Sequence, residues 1–112
     1  MDSKDFKTFM YEQIAGVAKV FSAPKRLELL NILAQGKSDV DGLAKATSMS
    51  IANTSRHLQV LKQARFVVGH REGVRRVYQL ASDEVLHSLH SIQELAQKQN
   101  VELQGVIEAF YQ

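Results

Sequence analysis

SDVDGLAKATSMSIANTSRHLQVLKQA, residues 38–64, holds two short helical runs separated by a polar turn. Ser38-Asp-Val-Asp41 fits a capping box in which Asp41 takes the place of the usual Glu, opening a helix through Leu43 and Ala44 to about Ala46. Thr47-Ser-Met-Ser50 reads as a turn, with Ser50 as the N-cap of a second helix that continues to Ala64. Thr54, Leu58, Leu61 and Ile51 recur at helical spacing and are expected to point inward, while Ala52, Asn53, Arg56, Gln59 and Gln63 fall on other faces. Two short helices joined by a tight turn, the second polar on its outer face, make a helix-turn-helix.

Upstream, Phe6, Phe9, Met10, Ile14, Val17 and Phe21 recur in steps of three and four, which predicts a helix from about Ser3 to Phe21. Ser22-Ala-Pro24 stops it. Ser22 is expected to cap a second helix from Pro24 to Gln35, with Leu27, Leu30 and Leu33 inward and Gly36 at its end. Downstream, Arg65–Arg71 and Val74–Leu80 are β-prone runs around Glu72-Gly73, a hairpin that forms a wing. From Ser82 the chain turns helical again, and Val85, Leu89, Ile92, Ala96, Gln99, Leu103, Val106 and Phe110 alternate steps of four and three to the end. So long a stripe exceeds what a small domain can bury internally, and it predicts a partner chain. The expected fold is mainly α with a small β-hairpin: four helices, two strands and a last helix. The 112 residues form a single domain with its core in residues 18–81. Helices at about 3–21 and 82–111 make a homodimer through Phe6, Phe9, Met10, Leu89, Ile92, Ala96, Leu103, Val106 and Phe110.

The net charge of +2 conceals an uneven distribution. Residues 1–49 carry +1 and residues 81–112 carry −4. Between them, residues 50–80 set Arg56, Lys62, Arg65, Arg71, Arg75 and Arg76 against Glu72 alone. A local positive segment is the footprint of a polyanion-binding face. One proline and six scattered glycines leave no linker-like stretch. Neither a signal peptide nor a membrane span is read from the sequence, so a cytoplasmic location is expected. The absence of cysteine removes disulfides, thiolate ligands and thiol redox sensing.

Three strings then carry a resemblance: Ser22-Ala-Pro-Lys-Arg-Leu-Glu-Leu-Leu-Asn-Ile-Leu33, Ser50-Ile-Ala-Asn-Thr-Ser-Arg-His-Leu-Gln-Val-Leu61 and Arg71-Glu-Gly-Val-Arg-Arg-Val-Tyr-Gln-Leu80. Residues 18–81 resemble the ArsR/SmtB family of winged-helix repressors, and Ala52–Gln59 is similar to a subgroup in which the winged helix precedes a rhodanese domain. The resemblance implies that the helix after Ser50 enters the major groove of duplex DNA. Contacts then fall on Ser50, Asn53, Ser55, Arg56, His57 and Gln59. Hydroxyls near a helix N-terminus suit phosphates, Asn reads adenine and Arg reads guanine. Arg71, Arg75 and Arg76 of the wing would grip phosphate or reach the minor groove.

Asp39-Val-Asp41 stands where metal-sensing members of that family carry a Cys-Val-Cys pair, and two carboxylates alone make a poor site. The family's other metal site would fall on Asp83, Glu84, His87 and His90, but its second half meets Gln97, Lys98 and Val101. No metal and no cofactor are expected, and no inducer is read. No Gly-rich phosphate loop, nucleophile elbow or complete metal constellation is present, so no catalysis is expected. The resemblance implies a repressor docking two recognition helices on a roughly palindromic operator. The alternative is an interaction module of a sulfurtransferase-type system that no longer reads DNA.

Overall fold

A computed structural model describes all 112 residues. Its elements run α1 (Ser3–Val20), α2 (Pro24–Gln35), β1 (Ser38–Asp39), α3 (Val40–Thr47), α4 (Ile51–Gln63), β2 (Val67–Glu72), β3 (Arg75–Leu80), α5 (Asp83–Gln99) and α6 (Val101–Phe110). The three strands form one antiparallel sheet in the order β1-β3-β2. Against it pack α2, α3, α4 and the first half of α5. Leu29, Leu30, Leu33, Leu43, Leu58, Leu61, Phe66, Val67, Tyr78, Val85 and Leu89 make one continuous core. No helix is long and apolar enough to cross a membrane.

The structure corrects several local expectations. The N-cap of α2 is Ala23, without a side-chain cap. Ser22 instead donates its hydroxyl to the Lys19 carbonyl at the end of α1 (2.6 Å). The cap of α3 is Asp39 rather than Ser38: its Oδ1 accepts the Gly42 N–H at 2.8 Å. Ser38 is drawn into β1, where Ser38 pairs with Tyr78 and Asp39 with Val77. A third strand therefore joins the expected hairpin. The hairpin turn is Gly73-Val74, because Glu72 is already paired across the ladder with Arg75. Gly73 has φ +65 and Val74 does not share the positive φ, which is the type II′ pattern of a two-residue loop.

The last helix is two helices. Asn100 adopts an extended conformation and its side chain accepts the Leu103 N–H at 2.9 Å, so it ends α5 and caps α6. Local capping overrides a hydrophobic period that continues across the break. Val85 and Leu89, expected on the partner-facing stripe, sit in the core of this chain, Leu89 with no exposed surface at all. Leu89 is thereby removed from the expected dimer face, because a second chain has nothing of it to touch. Ile51, expected inward, is exposed.

Both helices of the helix-turn-helix end in the same way. The Met49 N–H reaches the Ala44 carbonyl and the Ser48 N–H the Lys45 carbonyl. The Phe66 N–H reaches Leu61 and the Arg65 N–H reaches Lys62. These are Schellman motifs, which need a left-handed residue after the helix. Ser48 (φ 55) and Arg65 (φ 64) fill that position without being glycine.

Candidate nucleic-acid interface

Three buried side chains on one face, Thr54, Leu58 and Leu61, seat α4 on the core. Thr54 hides its hydroxyl by donating to the Ser50 carbonyl (2.8 Å), so this face presents no unsatisfied polar atom inward. Helical geometry then places Ala52, Arg56, Gln59 and Gln63 on the opposite face, with Asn53 alongside, and all of them are exposed. Ser50 caps the helix by accepting the Asn53 N–H at 3.1 Å, and its hydroxyl proton stays available to an acceptor. Ser55 and His57 lie on the flanks, half-buried. Burial, then the charges of Arg26 and Arg56, hold the His57 pKa below its ordinary value of 6.5, which favours a neutral imidazole.

The two faces of the wing differ in charge chemistry. Side chains alternate along a strand, so Arg71 and Arg76, which are cross-strand partners, project together from one face. Neither guanidinium lies within ion-pair distance of a carboxylate. His70, Glu72 and Arg75 occupy the other face. There the Glu72 carboxylate accepts from Lys37 Nζ (2.8 Å) and lies 2.7 Å from His70 Nε2. Arg75 Nε donates to Asp39 Oδ2 at 2.8 Å. The Lys37 hydrogen bond, then that of His70, holds the Glu72 carboxyl below the usual range. For Asp39 the Gly42 N–H acts most strongly, then Arg75. Of the three wing arginines expected to act together, the structure brings two together and ties the third to α3.

Lys25 and Arg26 were not singled out from the sequence; Lys25 braces the turn of the helix-turn-helix and Arg26 the end of α1. Lys25 Nζ donates to the Thr47 carbonyl at the end of α3 (2.6 Å) and pairs with Glu28 (3.2 Å). Arg26 donates from Nε to the Val20 carbonyl (2.9 Å) and from its terminal nitrogen to Lys19 (3.2 Å), closing the end of α1. A signal was available: two cations directly after Pro24 stand at a helix N-terminus, where the dipole disfavours positive charge, so each needed an acceptor elsewhere.

Away from this surface, α1 buries none of its side chains. Phe6, Phe9, Met10, Ile14 and Val17 are exposed along it. Ile14, Val17, Ala18 and Phe21 line an open apolar groove with Ser88, Ser91 and Ile92 of α5. Ile92, Ala96, Val106 and Phe110 of the expected interface are also exposed, and Leu103 is half-buried. No cluster of His, Asp and Glu side chains is arranged to hold a metal ion.

The model of the bacterial regulatory protein arsR family matches residues 23–68, from the start of α2 into the wing. The chain is 36% identical over 92 residues to the HTH-type transcriptional regulator Rv0324 of Mycobacterium tuberculosis. That alignment covers 82% of this chain but 41% of the relative, so the chain spans less than half of that protein's length. It is 34% identical over 86 residues to the HTH-type transcriptional regulator NmtR of the same organism, covering 70% of this chain and 72% of NmtR. Among solved structures, it superposes with a TM-score of 0.78 at 34% identity on a homodimeric winged helix-turn-helix DNA-binding domain from Mycobacterium bovis, described as a possible ArsR-family transcriptional regulator. That likeness covers 88% of this chain and 91% of the domain. With fold, family model and relatives in agreement, the chain belongs to the arsR family of bacterial helix-turn-helix regulatory proteins.

Proposed function

We propose that this chain is a homodimeric, DNA-binding transcriptional regulator that represses from a pseudo-palindromic operator. The observation that carries the reading is the outer face of α4. Arg56, Gln59 and Asn53 project from a helix anchored behind by Thr54, Leu58 and Leu61, and no carboxylate lies within ion-pair distance of Arg56. A rigid helix presenting Arg, Asn and Gln suits the donor and acceptor pattern of the major groove. Arg71 and Arg76 add a second anion-seeking point. Like charges directly opposed across a ladder are unfavourable, and a phosphate between them relieves that repulsion.

In this reading Arg56, Asn53 and Gln59 meet base edges, while Ser50, Ser55, Arg71 and Arg76 meet phosphates. His57, neutral and half-buried on the helix flank, adds no charge to the phosphate contacts. The homologous domain's homodimer supports pairing, and the exposed apolar side chains of α1, the end of α5 and α6 are the surface this chain offers for it. The test is a salt-titrated binding assay of the full chain on its own upstream DNA and on a scrambled duplex. Tight, sequence-preferring binding with a steep salt slope is expected, and Arg56→Ala should weaken specific binding by about 1–3 kcal/mol. Equal, weak binding to both duplexes would sink the proposal.

A further inference from the structure

We infer that Arg75 and Asp39 form a strut fixing the wing against the first helix of the helix-turn-helix, so that Arg75 positions the DNA-reading surface rather than gripping phosphate. The inference rests on the DNA-binding reading above and assigns within it a residue whose sequence position alone suggested direct contact.

The Asp39 carboxylate is shared between two elements. Its Oδ1 accepts the Gly42 N–H at 2.8 Å and caps α3, while its Oδ2 accepts Arg75 Nε–H at 2.8 Å from β3. No slack surrounds the cap: a Cβ on Gly42 would lie 2.9 Å from Ser38 Oγ and 3.0 Å from Asp39 Oδ1. The backbone ladder between β1 and β3 extends only from Ser38–Tyr78 to Asp39–Val77. Arg75 lies beyond it toward the wing tip, so the ion pair carries the attachment further out than main-chain hydrogen bonds reach. The cross-strand partner of Arg75 is Glu72, and Glu72 is held by Lys37 at 2.8 Å. Both residues of the last ladder pair before the turn are thus fastened to segment 37–39. The opposite face keeps Arg71 and Arg76 free.

An exposed ion pair of this kind contributes little to global stability, and here the Arg75 side chain is 60% exposed. Its contribution is geometric. It fixes the angle between the free arginine face of the wing and the α3–α4 unit, and two contact surfaces that must meet one duplex together depend on that angle.

Four single variants of the full chain, Arg75→Ala, Arg75→Lys, Asp39→Asn and Arg76→Ala, and the Arg75→Ala, Asp39→Asn double variant are titrated with salt on a duplex of the upstream region and on a scrambled duplex. Thermal unfolding is followed in parallel. Asn remains a good N-cap, so Asp39→Asn keeps α3 while removing the charge. Arg75→Ala, Arg75→Lys and Asp39→Asn should each weaken specific binding about fivefold or more, with melting temperature and salt slope unchanged. The Arg75→Ala, Asp39→Asn double variant should be no weaker than either single one. Arg76→Ala should lower the salt slope by about 1. The sign for Asp39→Asn is diagnostic, because removing an anion near DNA would by charge alone tighten binding.

Tighter binding by Asp39→Asn, or a salt slope lowered by about 1 in Arg75→Ala, would make Arg75 a phosphate contact and overturn the strut. A wild-type chain with no salt-dependent affinity for either duplex would overturn the DNA reading itself, and the strut with it.

Discussion

At the scale of single residues, the turn of the helix-turn-helix depends on a left-handed serine. Ser48 at φ 55 closes the Schellman motif that ends α3. A non-glycine residue there carries roughly 1–2 kcal/mol of strain, whereas glycine loses about 0.5–1 kcal/mol more in unfolded-state entropy. The strain is the larger, so Ser48→Gly should stabilise the chain by up to about 1 kcal/mol and raise the melting temperature by several degrees. An unchanged or lower midpoint in thermal unfolding would mean that the turn is not strained in solution. His57 supplies a pH dependence at the same scale. Its folded pKa is depressed, first by burial and then by Arg26 and Arg56. The unfolded chain therefore takes up a proton near pH 6.5 that folded His57 resists. The stability this group permits is complete above that value and declines as pH falls through it. His57→Gln should flatten the dependence of unfolding free energy on pH between about 7 and 5, and identical profiles for the two proteins would refute the assignment.

At the scale of elements, the wing depends on one close approach. A Cβ on Gly69 would lie 2.9 Å from the ring of Tyr78, its cross-strand partner, and Tyr78 is part of the core. Gly69→Ala should destabilise the chain by about 1–3 kcal/mol by pushing that ring into packed neighbours. Denaturant unfolding measures it, and a shift of a few tenths of a kcal/mol would show that the ring has room to move. The hairpin itself was legible in residues 65–80 because alternation and an acidic-Gly pair are local signals. The turn register was not, because Glu72 is held in the ladder by Lys37, far away in sequence. Helix α4 was legible for the same reason as the hairpin: the Ser50 cap and the Thr54–Leu58–Leu61 face are both local. Strand β1 was illegible, since two residues carry no period and their pairing with β3 is entirely long-range. The break at Asn100 lay between these cases. Its capping residue stood in plain view, but a heptad pattern running across it argued for continuity. Among candidate site residues, Asn53, Arg56 and Gln59 were read from the sequence as lying off the buried face of α4, and all three are exposed there. The sharing of Asp39 between a cap and Arg75 is a tertiary fact that no local pattern encodes.

At the scale of the molecule, the folded chain is not self-sufficient. Its radius of gyration is 16.5 Å, against about 13 Å for a compact chain of this length. The excess lies in α1 and α6, neither of which buries a single side chain. An 18-residue helix with Phe6, Phe9, Ile14 and Val17 facing outward is not expected to persist bare in water, since isolated helices of that length are marginal and exposed apolar stripes associate. The end of α1 is held by Arg26 and by Phe21, whose ring lies 4.8 Å from Phe66, so the root of the helix is fixed and its apolar face is left for another surface. A second copy of the same surface is the economical occupant, and it would place two α4 helices at a fixed separation. Because Phe9 and Ile14 are exposed and lie outside the core, the double substitution Phe9→Glu, Ile14→Glu should leave the winged-helix core folded. It should convert the chain to a monomer in sedimentation and abolish any concentration dependence of the melting temperature. Operator affinity should fall about a hundredfold or more as the two half-sites lose their linkage. A variant that stays dimeric would move the interface off α1 toward the exposed end of α5 and α6. A monomeric variant with undiminished operator affinity would show that one winged helix reads DNA alone, and the apolar face of α1 would then need a different partner.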